Sequence, residues 1–337
     1  MTWDRTITNY ILTQYFVSYD FEFLKRGLIA SVFDLFGITV NKVNVFVFSY
    51  LIINAVFVVV WKAVNSLFTY PDQKKMALVF MGIFILSPAT AVQFGNDFGR
   101  LDPTNILLML LSIWIVLYKS QYWILFLIPT LSVAAVLIHE IYIFTGLPLV
   151  LAVMYLRSKE LNLKVAYVLL AGSLLLTLIC ILTFGKADYL FTVEYLTAKT
   201  GFTSEEFPVA VWTSSLIQNI GFTFERYGRV KTWTSILRDL FILLPYLLLI
   251  WFAFRHRDLN KQLKYVLLAP LAIFPLFLVG IDFSRWIGLV IFNFMIAFLI
   301  VWHQLKLNLD DRSYNKKYLY LSYFTMLLGL TGPLGIT

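Results

Sequence analysis

Long apolar runs separated by short polar connections repeat along almost the whole chain. A membrane-spanning helix needs about 17–25 mostly apolar residues. Runs that reach or approach that length fall at 44–61, 77–94, 103–118, 121–138, 141–156, 165–184, 239–254, 265–281, 286–302 and 318–335. The pattern predicts an all-α, polytopic transmembrane helical bundle of about ten spans. An eleventh, short and rather polar, would fit 7–19. The remainder of the first 43 residues is too polar to cross. There Phe21, Leu24, Leu28, Val32 and Leu35 form one stripe, which predicts an amphipathic helix over 21–36 lying at the interface. Residues 185–237 form the single long connection, with aromatic amphipathic stretches but no run long enough to span. The chain reads as one integral membrane domain, 1–337, with no internal repeat, signal peptide or separate soluble domain.

The connections alternate in character. One set carries Lys62, Lys74 and Lys75; Lys119; Arg157, Lys159 and Lys164; Arg255, Arg257, Lys261 and Lys264; and Lys306, Arg312, Lys316 and Lys317. The short connections of the other set carry only Arg100 and Arg285. Basic loops stay on the cytoplasmic side, so the first set is expected inside and the second outside. The pair 121–138 and 141–156 is tight. With Lys119 and Arg157 both inside, the chain must go out and back in a few tens of residues, which leaves about 25 Å for each arm at 1.5 Å per residue.

Composition agrees with a lipid-solvated chain. Charged residues make up 14%, against about 25% in a soluble domain, too few to coat a water-facing surface of this size. The net charge of +8 lies in connections, as topology determinants do, and not in a stripe that would fit nucleic acid. The single cysteine, Cys180, excludes an intramolecular disulfide and a multi-cysteine zinc site.

The charges not needed for orientation then gather on the outer side, from five connections. They are Asp20, Glu22, Lys25 and Arg26; Asn96, Asp97, Arg100 and Asp102; His139 and Glu140; Glu225, Arg226, Arg229 and Lys231; and Asp282 and Arg285. Charges near membrane depth are costly and need partners. Structural roles are available for several. Asp102 before Pro103, and Asp282 before Phe283, have the form of helix N-caps. Glu22 and Arg26 are spaced as a helical ion pair. Arg285 in a first helical turn opposes the helix dipole, so it needs a carboxylate or a phosphate to face. Asp97 stands between Gly95 and Gly99, which permit close backbone approach. On a helix the adjacent His139 and Glu140 would point about 100° apart, leaving only one to face a substrate.

Carboxylates and arginines at one outer edge suit a substrate with an apolar tail in the bilayer and a phosphate head at its surface. Arginine forks take phosphate bidentately. A carboxylate can deprotonate a hydroxyl that attacks an anomeric carbon. Asp20, Asp97 and Glu140 are the candidate catalytic carboxylates. Glu22, Lys25, Arg26, Asn96, Arg100, His139, Arg226, Arg229, Asp282 and Arg285 are the candidate substrate-binding groups. Asp20, Glu22 and Asp97 could together hold Mg²⁺ or Mn²⁺ through oxygen, but a DxD-type ligand pair is absent, so no metal and no cofactor are expected.

An acidic residue after a short first apolar segment, an interfacial helix, many spans and one long outer loop resemble the GT-C superfamily of membrane glycosyltransferases and the Wzy-like bacterial polysaccharide polymerases. The resemblance implies a transferase of the bacterial inner membrane that uses a polyprenyl-phosphate- or diphosphate-linked sugar at the extracytoplasmic face, within polysaccharide-assembly machinery. It makes Asp20 and Glu22, with Asp97 as competitor, the acidic positions, and Arg100 and Arg285 the phosphate positions. Two other classes stay open: a transporter or flippase for a glycolipid or small anion, and a membrane acyltransferase with His139 as base.

Overall fold

A computed structural model describes residues 7–20, 23–67, 74–185, 187–201, 210–254, 259–280 and 282–305. The run 318–335 lies outside these residues. Every regular element among them is helical: α1 (Asn9–Thr13), α2 (Leu28–Leu35), α3 (Lys42–Leu67), α4 (Lys74–Leu86), α5 (Ala91–Asn96), α6 (Asp102–Tyr118), α7 (Gln121–Ile138), α8 (Tyr142–Thr145), α9 (Leu147–Arg157), α10 (Lys164–Phe184), α11 (Tyr189–Thr200), α12 (Ala210–Thr213), α13 (Leu216–Tyr227), α14 (Val230–Phe254), α15 (Lys261–Leu268), a 3₁₀ segment (Ala269–Leu278) and α16 (Phe283–Leu305). Among the described residues six segments are long and apolar enough to cross a membrane: Lys42–Leu67, Ala77–Asn96, Gln121–Ile138, Lys164–Phe184, Lys261–Leu278 and Phe283–Gln304. Asp102–Tyr118 and Leu147–Arg157 are apolar but shorter. These segments are compatible with an integral membrane protein.

Three local expectations are corrected. The helix expected over 21–36 begins only at Leu28, because Arg26 takes a left-handed backbone, φ 66°, that no helix can include. The buried face of α2 is Ile29, Ala30 and Phe33, while Leu35 is 79% exposed, so the observed stripe is not the predicted one. The long connection expected to run to residue 237 ends earlier. Gly228 closes a turn after α13, and α14 starts at Val230.

The chain divides into two units. The first lies within Met1–Val56, Phe98–Val150 and Arg157–Asn219. Its centre is α7, packed between α6 and α10 and touched by α2. α6 and α7 form an antiparallel hairpin closed by Lys119 and Ser120. At that closed end Arg157 donates from Nε to the Val116 carbonyl at 3.2 Å and pairs with Glu160. The Lys119 ammonium lies 4.6 Å from the Trp114 ring centroid. A core of Ile7, Ile11, Leu12, Tyr15, Ile29, Phe33, Val45, Leu101 and Ile138 fills the opposite, open end. Of the short segment expected over 7–19, only Asn9–Thr13 is α-helical. The segment is a plug of apolar residues tied to the hairpin mouth.

The second unit lies within Phe57–Asp97, Leu151–Leu156 and Ile220–Thr337. α16 is its axis, packed against α14, α15 and the 3₁₀ segment. Pro270 and Pro275 explain why the expected span 265–281 is not one α-helix, since each removes a backbone donor and crowds the preceding turn. The span around 77–94 is also interrupted, at Ser87–Thr90 between α4 and α5. Thr90 Oγ1 donates to the Phe84 carbonyl and, at 3.3 Å, to that of Ser87. Ser87 Oγ accepts from the Ala89 amide at 3.2 Å and meets the Tyr246 hydroxyl at 3.2 Å. Phe292 packs on Phe84 and Phe94, one ring on each side of the break.

Candidate functional site

The open end of the α6–α7 hairpin concentrates the charge of the first unit. Pro103 follows Asp102 at the start of α6, where its missing N–H costs nothing. The flanking cap residue is Leu101, whose carbonyl receives the Thr104 and Asn105 amides. Asp102 is therefore the first helical residue and not the N-cap expected from the sequence. Its carboxylate still sits at the positive end of the helix dipole, and it is buried.

α7 ends at Ile138, and His139 leaves the helix in an extended conformation, φ −159°, ψ 116°. Asn105 Nδ2 donates to the His139 carbonyl at 3.1 Å, which ties the two helix ends together. The extended backbone also overturns the expectation that His139 and Glu140 diverge. His139 Nδ1 lies 3.3 Å from Glu140 Oε2.

Glu140 is held by Arg26. The guanidinium donates from Nε to Oε2 at 2.9 Å and from Nη2 to Oε1 at 2.6 Å, a two-pronged fork across 114 residues of sequence. The backbone around Arg26 is fixed from both sides. Trp212 Nε1 donates to the Lys25 carbonyl at 3.1 Å. The Tyr19 ring covers Gly27 so closely that a Cβ there would come within 2.6 Å of it. A left-handed non-glycine residue is strained and persists only where its surroundings over-determine it, which these two contacts do. Glu22, expected to pair with Arg26, lies outside the described residues.

The electrostatics follow from this geometry. Burial disfavours ionised Glu140, but the Arg26 guanidinium, with help from His139, outweighs burial and holds the carboxyl well below its usual range. Burial, and then the positive charge of Arg26, push His139 down, against smaller opposing effects of Glu140 and Asp102. The resting state is thus an ionised Glu140 between a charged arginine and a neutral imidazole.

The other sequence candidates of this unit sit around that centre. Asp20 is exposed, in the turn before Arg26, and Lys25 is half-buried. Arg100 lies 5.7 Å from the Tyr10 ring centroid. Tyr15 donates its hydroxyl to the Gly99 carbonyl at 2.8 Å. Three of the five connections expected outside therefore meet within one unit, through residues 15–20 and 23–27, 99–105 and 139–140.

The second unit holds the rest. Asp97 accepts from Gln93 Nε2 at 2.6 Å, and Asn96 is exposed. Arg226 is exposed, and Arg229 pairs with Glu225 at 2.9 Å on the surface. Arg285 meets the carboxylate of Asp282 at 2.9 Å, which supplies the anion its place in a first helical turn demands. Tyr227 packs on Phe283 and donates to the Phe277 carbonyl. One buried network was not anticipated. Asp239, fully buried, accepts from Arg238 at 3.0 Å and from the Ser284 hydroxyl. Its signal was an acidic residue within the apolar run of α14. Tyr15, Tyr19 and Asn105 were also missed, because aromatic and amide side chains in apolar runs look like packing.

Among the described residues no group of three or more His, Cys, Asp or Glu is placed to hold a metal ion. No protein-family model, curated protein or solved structure matches the chain.

Proposed function

We propose that the chain is a membrane-embedded glycosyltransferase, or a polysaccharide polymerase, that takes a polyprenyl-phosphate- or diphosphate-linked sugar at the extracytoplasmic face of a bacterial inner membrane. In this reading about ten spans form a GT-C-like bundle. The protein works without a cofactor, its partners are membrane lipid, the lipid-linked sugar and polysaccharide-assembly machinery, and nucleic acid is not among them. The observation that carries the reading is the placement of the Arg26–Glu140 fork, with His139 and Asp102, at the hairpin end opposite Lys119 and Arg157. A polar centre at one edge of an apolar bundle fits a substrate whose head is charged and whose tail is lipid. Transporters place such groups near the midplane instead.

The chemistry divides among these groups. The exposed carboxylate Asp20 accepts the proton of the acceptor hydroxyl as its oxygen attacks the anomeric carbon, with Asp97, half-buried in the second unit, as the competing base. The bond from that carbon to the phosphate oxygen breaks, and arginines stabilise the departing phosphate. Glu140, kept ionised, is a weak base and better suited to orienting Arg26.

The test is mass spectrometry of lipid-linked glycans from cells lacking the protein, complemented with wild type, Asp20→Asn or Asp97→Asn. Loss of a transfer product in the deletion strain, restored by wild type and not by at least one carboxylate variant, is expected. An unchanged glycan profile in the deletion strain would overturn the proposal.

A further inference from the structure

We propose that the Arg26 fork is a phosphate-monoester site that Glu140 occupies in the resting protein, and that an arriving phosphate displaces this carboxylate. The inference deepens the reading above, and rests on it for the ligand's identity, by naming the pair that holds the terminal phosphate left on the lipid once the sugar has been transferred. The site itself stands on the geometry of the fork alone.

Both prongs of the guanidinium are taken by the two oxygens of one planar anion, at 2.9 and 2.6 Å. The same parallel pair of N–H groups matches two oxygens of a phosphate, and a dianion competes there against a monoanion. The two partners differ in freedom. Arg26 is 16% exposed and Glu140 29%, so the carboxylate is the outer member and has a path toward water. Arg26 is pinned through its own backbone by the Trp212 bond to Lys25 and by Tyr19 over Gly27. When the carboxylate swings out, the fork stays where it is.

A displaced Glu140 goes to solvent, being the more exposed member of the pair. The charged and titratable groups at this end are Arg26, Glu140, His139 and Asp102, with Asp20, Lys25 and Arg100 on the same connections. Two further buried polar atoms on the same elements, the Tyr19 hydroxyl and Asn105 Oδ1, make no hydrogen bond among the described residues. They are groups that a ligand richer in donors and acceptors than a bare phosphate can satisfy.

The experiment is calorimetric titration of the full-length protein, in phosphatidylcholine nanodiscs, with dodecyl phosphate and separately with inorganic phosphate. Empty nanodiscs correct for partitioning of the alkyl chain. Removing the internal competitor in Glu140→Gln should tighten binding about ten-fold, and removing the fork in Arg26→Gln should abolish it. Glu140→Asp, one methylene short of the fork, should also tighten binding and serves if the glutamine variant unfolds. Preference for dodecyl phosphate would identify a lipid head group as the ligand, and equal binding of both probes a free phosphate. Weaker or unchanged affinity in both Glu140 variants, or wild-type affinity in a folded Arg26→Gln protein, would overturn the displacement. Glycan analysis separates the two proposals. Tighter binding in Glu140→Gln with no glycan change in the deletion strain keeps the phosphate site and removes the transferase. The opposite pair of results does the reverse.

Discussion

Tyr15 reaches across 84 residues to place its hydroxyl 2.8 Å from the carbonyl of Gly99, locking the N-terminal plug to the start of α6. The ring itself is buried among Phe33 and Phe48. Tyr15→Phe keeps that packing and leaves a buried carbonyl without its donor, at a cost of about 1–3 kcal/mol. Thermal unfolding in detergent should show the loss, while Tyr10→Phe, at a partly exposed ring, leaves the midpoint near wild type.

Gly99 is constrained twice over. Its φ of +94° is unfavourable for any residue with a Cβ, and a Cβ there would come within 2.6 Å of Ile11 and 2.9 Å of Ile7. Gly99→Ala should therefore destabilise the protein more than Gly95→Ala, where a Cβ meets nothing within 4 Å. Comparison of the two unfolding midpoints decides it.

The ion pair has a measurable coupling. In a double-mutant cycle of Arg26→Gln and Glu140→Gln, each single change should be more harmful than half the double, with an interaction of about 1.5–3 kcal/mol, as for hydrogen bonds to charged groups. Independent, additive effects would contradict the fork geometry.

Stability should fall on acidification in two stages. His139 is pushed down by burial and by Arg26. The unfolded chain therefore binds its proton first, and the neutral ring's contribution is complete above about pH 6.5 and lost as pH falls through the folded value. Glu140 is also depressed, because Arg26 outweighs burial. Its contribution is complete above about pH 4.3 and lost at more acid pH. Unfolding midpoints measured against pH should rise from acid to neutral. His139→Asn should flatten the upper stage and leave the lower one.

In the second unit Asp239 is a stronger structural determinant than its sequence neighbours imply. Asp239→Ala strips from Arg238 and Ser284 the acceptor they share; Arg238, 29% exposed, recovers water, so the cost is about 1–3 kcal/mol, that of a charge-assisted hydrogen bond and a hydroxyl left without its acceptor. Loss of folded protein on size-exclusion chromatography, with Arg229→Ala at the surface unaffected, is the expected contrast.

The sequence revealed the parts of the fold that depend on local composition. Apolar length located α3, α7, α10 and α16, because spanning is a property of one continuous segment. It also placed Arg285 beside an anion, since a cation in a first helical turn is a local conflict. What depends on distant contacts was hidden. The pairing of Arg26 with Glu140 needs the fold to bring two connections together. The left-handed backbone of Arg26 is imposed by Tyr19 and Trp212, not by its own preference. For the same reason helix α2 begins later than its apolar periodicity implies, and His139 turns out of the helix toward Glu140.

The interruption at Ser87–Thr90 carries its own substitute for water. Peptide groups released at the end of α4 would be costly in hydrocarbon, yet the Thr90 hydroxyl serves the Phe84 and Ser87 carbonyls, the Ser87 hydroxyl takes the Ala89 amide, and the Tyr246 phenol meets that same Ser87 hydroxyl. A bend stitched by side chains behaves as a rigid elbow and not as a joint. The direction in which α5 leaves toward Asp97 is thereby inherited from two hydroxyl-bearing residues, and straightening the segment would require breaking those bonds together.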